Sequence, residues 1–137
     1  MIDGLVSVIT PASNCADFIG KTIESVVSQT YTNWEMIIVD DCSTDNTEAV
    51  VKKYSENDSR IMYYCLARNS GAAAARTEAM RRAVGEYMAF LDSDDLWLPG
   101  KLEKQLGFMK NNGCAFSCTE YEQVDENGKS NGRIIKT

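Results

Sequence analysis

The stretch YMAFLDSDD at residues 87–95 joins five mostly apolar residues directly to an acidic cluster. A short apolar run bounded by polar residues indicates a buried β-strand, and this strand would end where the aspartates begin. Three comparable runs precede it: LVSVIT at residues 5–10, EMIIV at 35–39 and a third at 61–66. Pro11 stops the first run. We therefore predict four short strands, each followed by polar residues.

Segments with helical spacing of apolar residues separate these runs. Residues 17–30 are predicted to form an amphipathic helix. Asp45, with Glu48 three positions later, fits a capping box that starts a helix running through Tyr54. The other two predicted helices cover residues 72–84, ended by Gly85, and residues 99–110, with Pro99 near the start.

Alternation of strand and helix, repeated four times, predicts an α/β fold. Its sheet should be open and mostly parallel, with helices on both faces. The pattern changes near the end, where residues 115–121 are predicted to form a strand and residues 125–129 a turn before the apolar pair at 134–135. We expect an antiparallel strand or hairpin there. A length of 137 residues is typical of one domain, so we predict a single domain over residues 1–137.

The composition is that of a folded, acidic protein. Hydrophobic residues make up 44% and charged residues 25% of the chain, the formal net charge is -6, and the sequence pI is about 4.6. Without a concentrated basic patch such a chain repels nucleic acid, which we exclude as a partner. A divalent cation can still bridge it to a phosphorylated ligand. The absence of histidine excludes Ser-His and Cys-His catalysis and His-ligated zinc.

The five cysteines and the apolar runs bear on the cellular compartment. An odd number of cysteines without a CxxC pair argues against a disulfide framework and a zinc knuckle, so we expect free thiols in a reducing compartment. The first ten residues lack the basic region of a signal peptide, and no apolar segment approaches the roughly 20 residues that span a bilayer. We predict a cytoplasmic protein, with peripheral attachment at the inner face of the membrane left open.

Polar residues follow each of the four predicted strands. Open α/β sheets bind ligands at the carboxyl ends of their strands, near the point where the strand order reverses. We therefore predict one ligand site there. The four polar segments are residues 11–14 (PASN), 40–41 (DD), 68–71 (RNSG) and 92–95 (DSDD).

Asp92 and Asp94 are the candidate metal ligands. Carboxylates this close in sequence repel one another unless a cation or a helix N-terminus compensates. Side chains two positions apart in a loop can turn toward one ion, and Mg²⁺ or Mn²⁺ prefers few carboxylates together with phosphate oxygens and water. The alternative is that Asp94 or Asp95 only caps the following helix, and the tripeptide alone does not decide between the two.

Asp41 and Arg76 are the other charged candidates. A carboxylate directly after a strand can accept the N–H groups of uracil or guanine. The alternative for Asp41 is a loop aspartate that prepares the helix cap at residues 43–45. Arg76 lies among alanines at a helix start, and small neighbours leave a long cation room to reach a nucleotide. A solvated helix arginine is the alternative there.

Five segments follow one another along the chain: VSVITPASN, a helix ending in SVVSQTY, WEMIIVDDCSTDNT, ARNSGAAAARTEAM and GEYMAFLDSDDLWLPGKLEKQ. Taken in order, they resemble the opening of family 2 glycosyltransferases of the GT-A fold. The resemblance covers roughly residues 5–105, and the segments in this order are far more specific than any one of them. It implies a GT-A (Rossmann-like) sheet, a nucleotide-sugar donor and Mg²⁺ or Mn²⁺.

The resemblance also implies roles for individual residues. Asp94 would ligate the metal, and Asp92 would contact the ribose or the metal. Ser93 completes the Asp-x-Asp signature, and Asp95 would be structural. The implied nucleotide contacts are Pro11 and Ser13 at the nucleoside, Asp41 at the base and Arg76 at the nucleotide.

The implied activity is inverting sugar transfer from a nucleotide diphosphate, most often UDP, in polysaccharide or glycoconjugate biosynthesis. The acceptor would be a sugar, a lipid-linked molecule or a glycan. In this family the general base that deprotonates the acceptor usually lies well beyond the Asp-x-Asp signature. We assign none of the later carboxylates to that role, namely Glu120, Glu122 and Asp125. We therefore expect a donor-binding portion cut before the acceptor-binding half.

Three other functions fit parts of the pattern. A receiver-like Mg²⁺-binding signalling domain also carries acidic residues after strands, but its acidic pair follows the first strand and a lysine follows the last. A catalytically incomplete nucleotide-sugar binder remains an alternative. A sugar-1-phosphate nucleotidyltransferase would need a Gly-rich basic loop after the first strand, and residues 10–14 (TPASN) are not one.

Overall fold

The computed structural model describes residues 2–112, 120–124 and 130–136. Strands and helices alternate along residues 2–112, and two further strands follow. The strands are β1 (Ile2–Ala12), β2 (Trp34–Asp40), β3 (Ile61–Cys65), β4 (Gly85–Phe90), β5 (Glu120–Val124) and β6 (Ser130–Lys136). The helices are α1 (Ile19–Val27), α2 (Thr47–Asn57), α3 (Ala72–Arg82) and α4 (Lys101–Asn112).

The first four strands form one parallel sheet in the order β3-β2-β1-β4. β1 is central, and its Val8 pairs with Met36 of β2 on one side and Ala89 of β4 on the other. The predicted α/β fold with an open parallel sheet is confirmed.

Helices cover both faces of this sheet. Alternate strand residues point to opposite sides, so each face of the sheet has its own apolar cluster. In β1, Val8 belongs to an apolar cluster shared with α1, α2 and α4, whereas its neighbour Ile9 belongs to a second cluster shared with α3. The helix α3 contributes the small, fully buried residues Ala75 and Ala79. The alanine-rich sequence therefore marks a helix that lies close against the sheet.

Several element boundaries differ from the predicted ones. The helix α1 begins at Ile19, and α4 begins at Lys101 rather than at Pro99. Gly85 does not end α3 but opens β4. A Cβ at Gly85 would lie 2.6 Å from both the Leu5 carbonyl oxygen and the Ser7 hydroxyl, so glycine is required by close strand packing.

The predicted capping box of α2 is wrong. The Asp45 carboxylate accepts hydrogen bonds from the Thr47 backbone N–H at 3.0 Å and the Thr47 hydroxyl at 2.5 Å. Glu48 instead pairs with Lys52, one turn along α2, at 2.6 Å. Asp45 also accepts the Ala16 N–H at 3.1 Å. Asp45 therefore bonds both the start of α2 and the loop after β1.

The strands β5 and β6 pair in antiparallel fashion, with Tyr121 opposite Ile135. The predicted antiparallel ending is confirmed. Most of the strand predicted at residues 115–121, and the turn predicted at 125–129, lie outside the described residues.

The strand order determines where a ligand cleft forms. From β1 the chain moves outward through β2 to β3, and it then returns to place β4 on the opposite side of β1. The strand order therefore reverses between β1 and β4, and open α/β sheets form their ligand crevice at the carboxyl ends of the strands at such a point.

Candidate functional site: an acidic cleft at the end of the sheet

A cleft of about 380 Å³ lies at this reversal point. Six of the seven predicted site residues line it, and Asp41 does not. The lining also contains three residues that lie outside the predicted polar segments, namely Cys15, Phe18 and Ala72. The predicted residues in the lining are Pro11, Ser13, Arg76, Asp92, Ser93 and Asp94, and Asn14 is also present.

Thr22 of α1 contacts the backbone of the acidic loop after β4. The fully buried Thr22 hydroxyl lies 2.9 Å from the Ser93 carbonyl oxygen and 2.8 Å from the Asp95 carbonyl oxygen. The loop closes on itself where the Asp95 N–H donates to the Asp92 carbonyl oxygen at 3.1 Å. Sequence reasoning missed Thr22, because its role depends on a partner 71 residues away.

Arg76 of α3 and Asp92 face each other across the cleft, with the arginine Nη2 3.7 Å from Asp92 Oδ1. Both side chains are about half exposed. The geometry puts one positive and two negative side chains at the same opening, because Asp94 also lines the cleft and is exposed.

Asp95 differs from its two acidic neighbours because it is buried, with 8% of its surface exposed. Burial, together with the charges of Asp94 and Asp92, raises the pKa of Asp95 to about 6. It does not line the cleft, and its structural role stays a prediction.

The acidic pair fits a cation that takes its other ligands from a bound molecule. Within the described parts of the chain, no group of three His, Cys, Asp or Glu residues is arranged to hold a metal. Asp92 and Asp94 supply two hard carboxylates at an open cleft, and Mg²⁺ or Mn²⁺ commonly completes such a pair with phosphate oxygens and water.

Asp41 lies at the start of α3 and is buried, with 4% of its surface exposed. One carboxylate oxygen accepts the Ser70 N–H at 2.6 Å, and the other accepts the Gly71 N–H at 2.9 Å. Gly71 has a φ of 97°, a conformation that glycine adopts at little cost. Asp41 therefore joins the end of β2 to the start of the helix that carries Arg76. Contact with a nucleotide base stays a prediction.

The adjacent Asp40 points to the other face of the sheet and has a different role. It accepts the Ser43 N–H at 2.9 Å and the Ser43 hydroxyl at 2.5 Å on one oxygen. The other oxygen accepts the Tyr63 hydroxyl at 2.6 Å, and burial together with this carboxylate raises the pKa of Tyr63. Strand alternation separates the two aspartates, although the sequence presents them as one acidic pair.

Hydrogen bonds join the loop after β1 to the loop after β2. Asn14, at a φ of 45°, accepts the Thr44 N–H at 2.8 Å and donates its own N–H to the Ser43 hydroxyl at 2.8 Å. The Cys15 N–H donates to the Thr47 hydroxyl at 2.9 Å. These bonds fix one wall of the cleft, and no local sequence signal indicated them.

A parallel α/β sheet with an acidic, arginine-containing cleft at its strand reversal defines a Rossmann-like ligand-binding protein. Residues 7–136 match the family model described as "Glycosyl transferase family 2". The chain belongs to this family, which confirms the resemblance inferred from its motifs and decides against the receiver-domain alternative.

Curated relatives share close sequence similarity with the chain. It is 54% identical over 131 residues to the "Putative teichuronic acid biosynthesis glycosyltransferase TuaG" of Bacillus subtilis (strain 168), covering 96% of the chain and 52% of that protein. It is 44% identical over 127 residues to the Escherichia coli UDP-Glc:alpha-D-GlcNAc-diphosphoundecaprenol beta-1,3-glucosyltransferase WfgD, covering 93% and 49%. The chain thus spans about half the length of these relatives.

Solved structures share the fold. S. aureus TarS 1-349 in complex with UDP superposes with a TM-score of 0.75 at 33% identity, covering 79% of the chain and 32% of that protein. The mannosyltransferase PcManGT from Pyrobaculum calidifontis, in complex with GDP-Man and Mn²⁺, gives a TM-score of 0.71 at 28% identity, covering 76% and 32%.

Proposed function

We propose that this chain is the donor-binding domain of a glycosyltransferase that takes a sugar from a UDP-sugar with the help of Mg²⁺ or Mn²⁺. The observation that carries the proposal is the convergence of Asp92, Asp94 and Arg76 on one cleft at the strand reversal. UDP is preferred because TarS was solved with UDP and WfgD is named for UDP-Glc.

Each residue of the cleft would make a different contact with a bound nucleotide diphosphate. Asp94 and Asp92 would hold the cation, which supplies positive charge to the diphosphate leaving group when bound. Arg76 would bind the diphosphate from the opposite wall, because a guanidinium matches phosphate geometry. Pro11 and Ser13 would line the nucleoside pocket. Transfer would invert the anomeric centre, with an acceptor-activating base that we do not assign.

The names of two relatives support a proposal for the acceptor. WfgD is named for a diphosphoundecaprenol-linked acceptor and TuaG for teichuronic acid biosynthesis, so we propose a lipid-linked or glycan acceptor in polysaccharide assembly. Among the helices of the described ranges, none is long and apolar enough to cross a membrane. We propose that the protein acts in the cytoplasm, peripherally attached at the inner face of the membrane.

Residues 1–137 would form one donor-binding domain, with acceptor recognition completed by sequence of the kind that fills the other half of the relatives. Binding without turnover by this chain alone is the outcome that this division predicts. Sugar transfer to an acceptor by the 137-residue chain would contradict it.

Calorimetric titration of UDP-sugars with and without Mn²⁺ tests the metal and donor assignment. Asp94→Ala should abolish the Mn²⁺-dependent part of the binding while circular dichroism shows an unchanged fold. The matched control is Glu48→Ala, which removes an exposed carboxylate on α2 that pairs with Lys52 at 2.6 Å. Equal Mn²⁺ dependence in the wild type and Asp94→Ala would refute the assignment.

A further inference from the structure

Two cysteine thiols meet at the carboxyl end of the sheet, on the far side of β2 from the cleft. The Cys42 thiol donates to the Leu66 carbonyl oxygen at 3.0 Å, and the Cys65 thiol donates to the same oxygen at 3.4 Å. The two thiols therefore converge on one carbonyl oxygen from two different segments of the chain. Neither lines the cleft, so the donor site does not account for them.

The backbone on both sides of this thiol pair is held by the sheet. Cys65 is the last residue of β3 and lies opposite Asp40 in the strand register. The Leu66 N–H donates to the Asp40 carbonyl oxygen at 2.9 Å, which continues the pairing one residue further. Cys42 has a φ of 58°, and a left-handed backbone favours glycine or asparagine. The backbone therefore gives no reason for a cysteine at position 42.

The pair is open to reagents in solvent. Cys65 is exposed and Cys42 is partly exposed, whereas Cys15 is buried at 4% exposure. Desolvation and the neighbouring Cys65 raise the pKa of the Cys42 thiol. Because the thiolate is the reactive form, oxidation of this pair should quicken as the pH rises.

We propose that Cys42 and Cys65 form a dithiol modification site, which low-molecular-weight disulfides oxidise to an intramolecular disulfide. This site is independent of the donor cleft and goes beyond the proposed function. Its bond would tie the residue next to Asp41 to the end of β3.

The reaction balances with oxidised glutathione as the oxidant. The exposed Cys65 thiolate attacks one sulfur of the glutathione disulfide, a mixed disulfide forms, and one glutathione thiolate leaves. The Cys42 thiolate then attacks the Cys65 sulfur and expels the second glutathione. Two electrons pass from the cysteines to glutathione, and the protons of the two cysteine thiols end on the two glutathione molecules.

Peptide mapping identifies the product, because trypsin separates the cysteines. Cleavage after Lys and Arg places Cys42 in residues 22–52 and Cys65 in residues 61–68, while Cys15 and the pair at positions 114 and 118 fall in other peptides. After incubation with oxidised glutathione, the expected product is peptide 22–52 cross-linked to 61–68, with the intact mass lower by two hydrogen atoms. Dithiothreitol should reverse it.

Two variants give the proposal a matched test. Cys42→Ser should stop at a glutathione adduct on Cys65, and Cys15→Ser should still form the cross-link. Sequential alkylation of the wild-type chain, before and after reduction, gives the same information without any variant. A stable adduct on Cys65 with Cys42 still alkylatable in the wild type, or a cross-link between other peptides, would overturn the proposal.

Discussion

Arg76 Nη2 lies 3.7 Å from Asp92 Oδ1, which is beyond hydrogen-bond distance for an ion pair whose two side chains are about half exposed. Exposed pairs of this kind contribute only about 0–1 kcal/mol to stability. The contact therefore breaks at little cost when a cation approaches Asp92 or a phosphate approaches Arg76. The two residues are better placed to receive a ligand than to hold the fold.

Arg76→Ala should change metal and nucleotide affinity in opposite directions. Removing the cation beside Asp92 should tighten Mn²⁺ binding alone by about fivefold, on the scale of about 1 kcal/mol for an exposed charge pair. Losing the phosphate contact should weaken UDP binding in Mn²⁺ by about tenfold. Calorimetry measures both. Arg81→Ala is the matched control, because Arg81 is an exposed arginine of the same helix paired with Glu78.

Asp41→Asn separates a base contact from a purely structural role. The variant leaves the Ser70 and Gly71 N–H groups with one good acceptor, so urea denaturation should show a loss of about 1–3 kcal/mol. If Asp41 also contacts the base, UDP binding should weaken more than binding of CDP, whose base has no ring N–H to donate. An equal loss for every nucleotide would exclude a base contact and assign Asp41 a purely structural role at the start of α3.

Thr22→Val should loosen the acidic loop without touching the ligand. The variant keeps the shape of the side chain but removes the hydroxyl that lies near the Ser93 and Asp95 carbonyl oxygens, at a cost of about 1–2 kcal/mol. Mn²⁺-dependent UDP affinity should fall with it, and Thr22→Ser should restore both. Ser25→Ala, which loses a hydroxyl that donates to the Thr22 carbonyl oxygen, is the control. Unchanged affinity in Thr22→Val would show that the loop needs no such support.

Asp95→Asn should stabilise the metal-free protein at neutral pH but not in acid. The pKa of Asp95 is raised to about 6, above the value of about 4 of an unfolded chain, so the folded state binds its proton more tightly. Stability therefore falls as the pH rises from about 4 to about 6, and the full penalty is present above that range. Urea denaturation in EDTA should show a gain of about 2 kcal/mol at pH 7 and little at pH 4. The same gain at both values would point to packing instead of charge.

Sequence patterns predicted the sheet, its helices and the place of the cleft, because all of these follow from local periodicity and one rule of strand order. The DSDD loop was recognisable because its charges are adjacent in the chain. Roles that depend on partners distant in the sequence were not recognisable. Adjacency made Asp40 and Asp41 look alike, although the sheet turns them to opposite faces. Gly85 looked like a helix terminator because its constraint, the Leu5 carbonyl and Ser7 hydroxyl, lies 80 and 78 positions earlier.

The hydrogen bonds from Asn14 and Cys15 to the loop after β2 bear on the entropy of binding. A loop already ordered by Ser43, Thr44 and Thr47 has lost its conformational freedom during folding, and a ligand then orders only the opposite wall. Association of the proposed nucleoside with the β1 side of the cleft should thus be rapid. Its rate should not depend on the closure of a loop. Slow steps, if the full enzyme has them, belong to the side of the cleft that carries Arg76 and the aspartates.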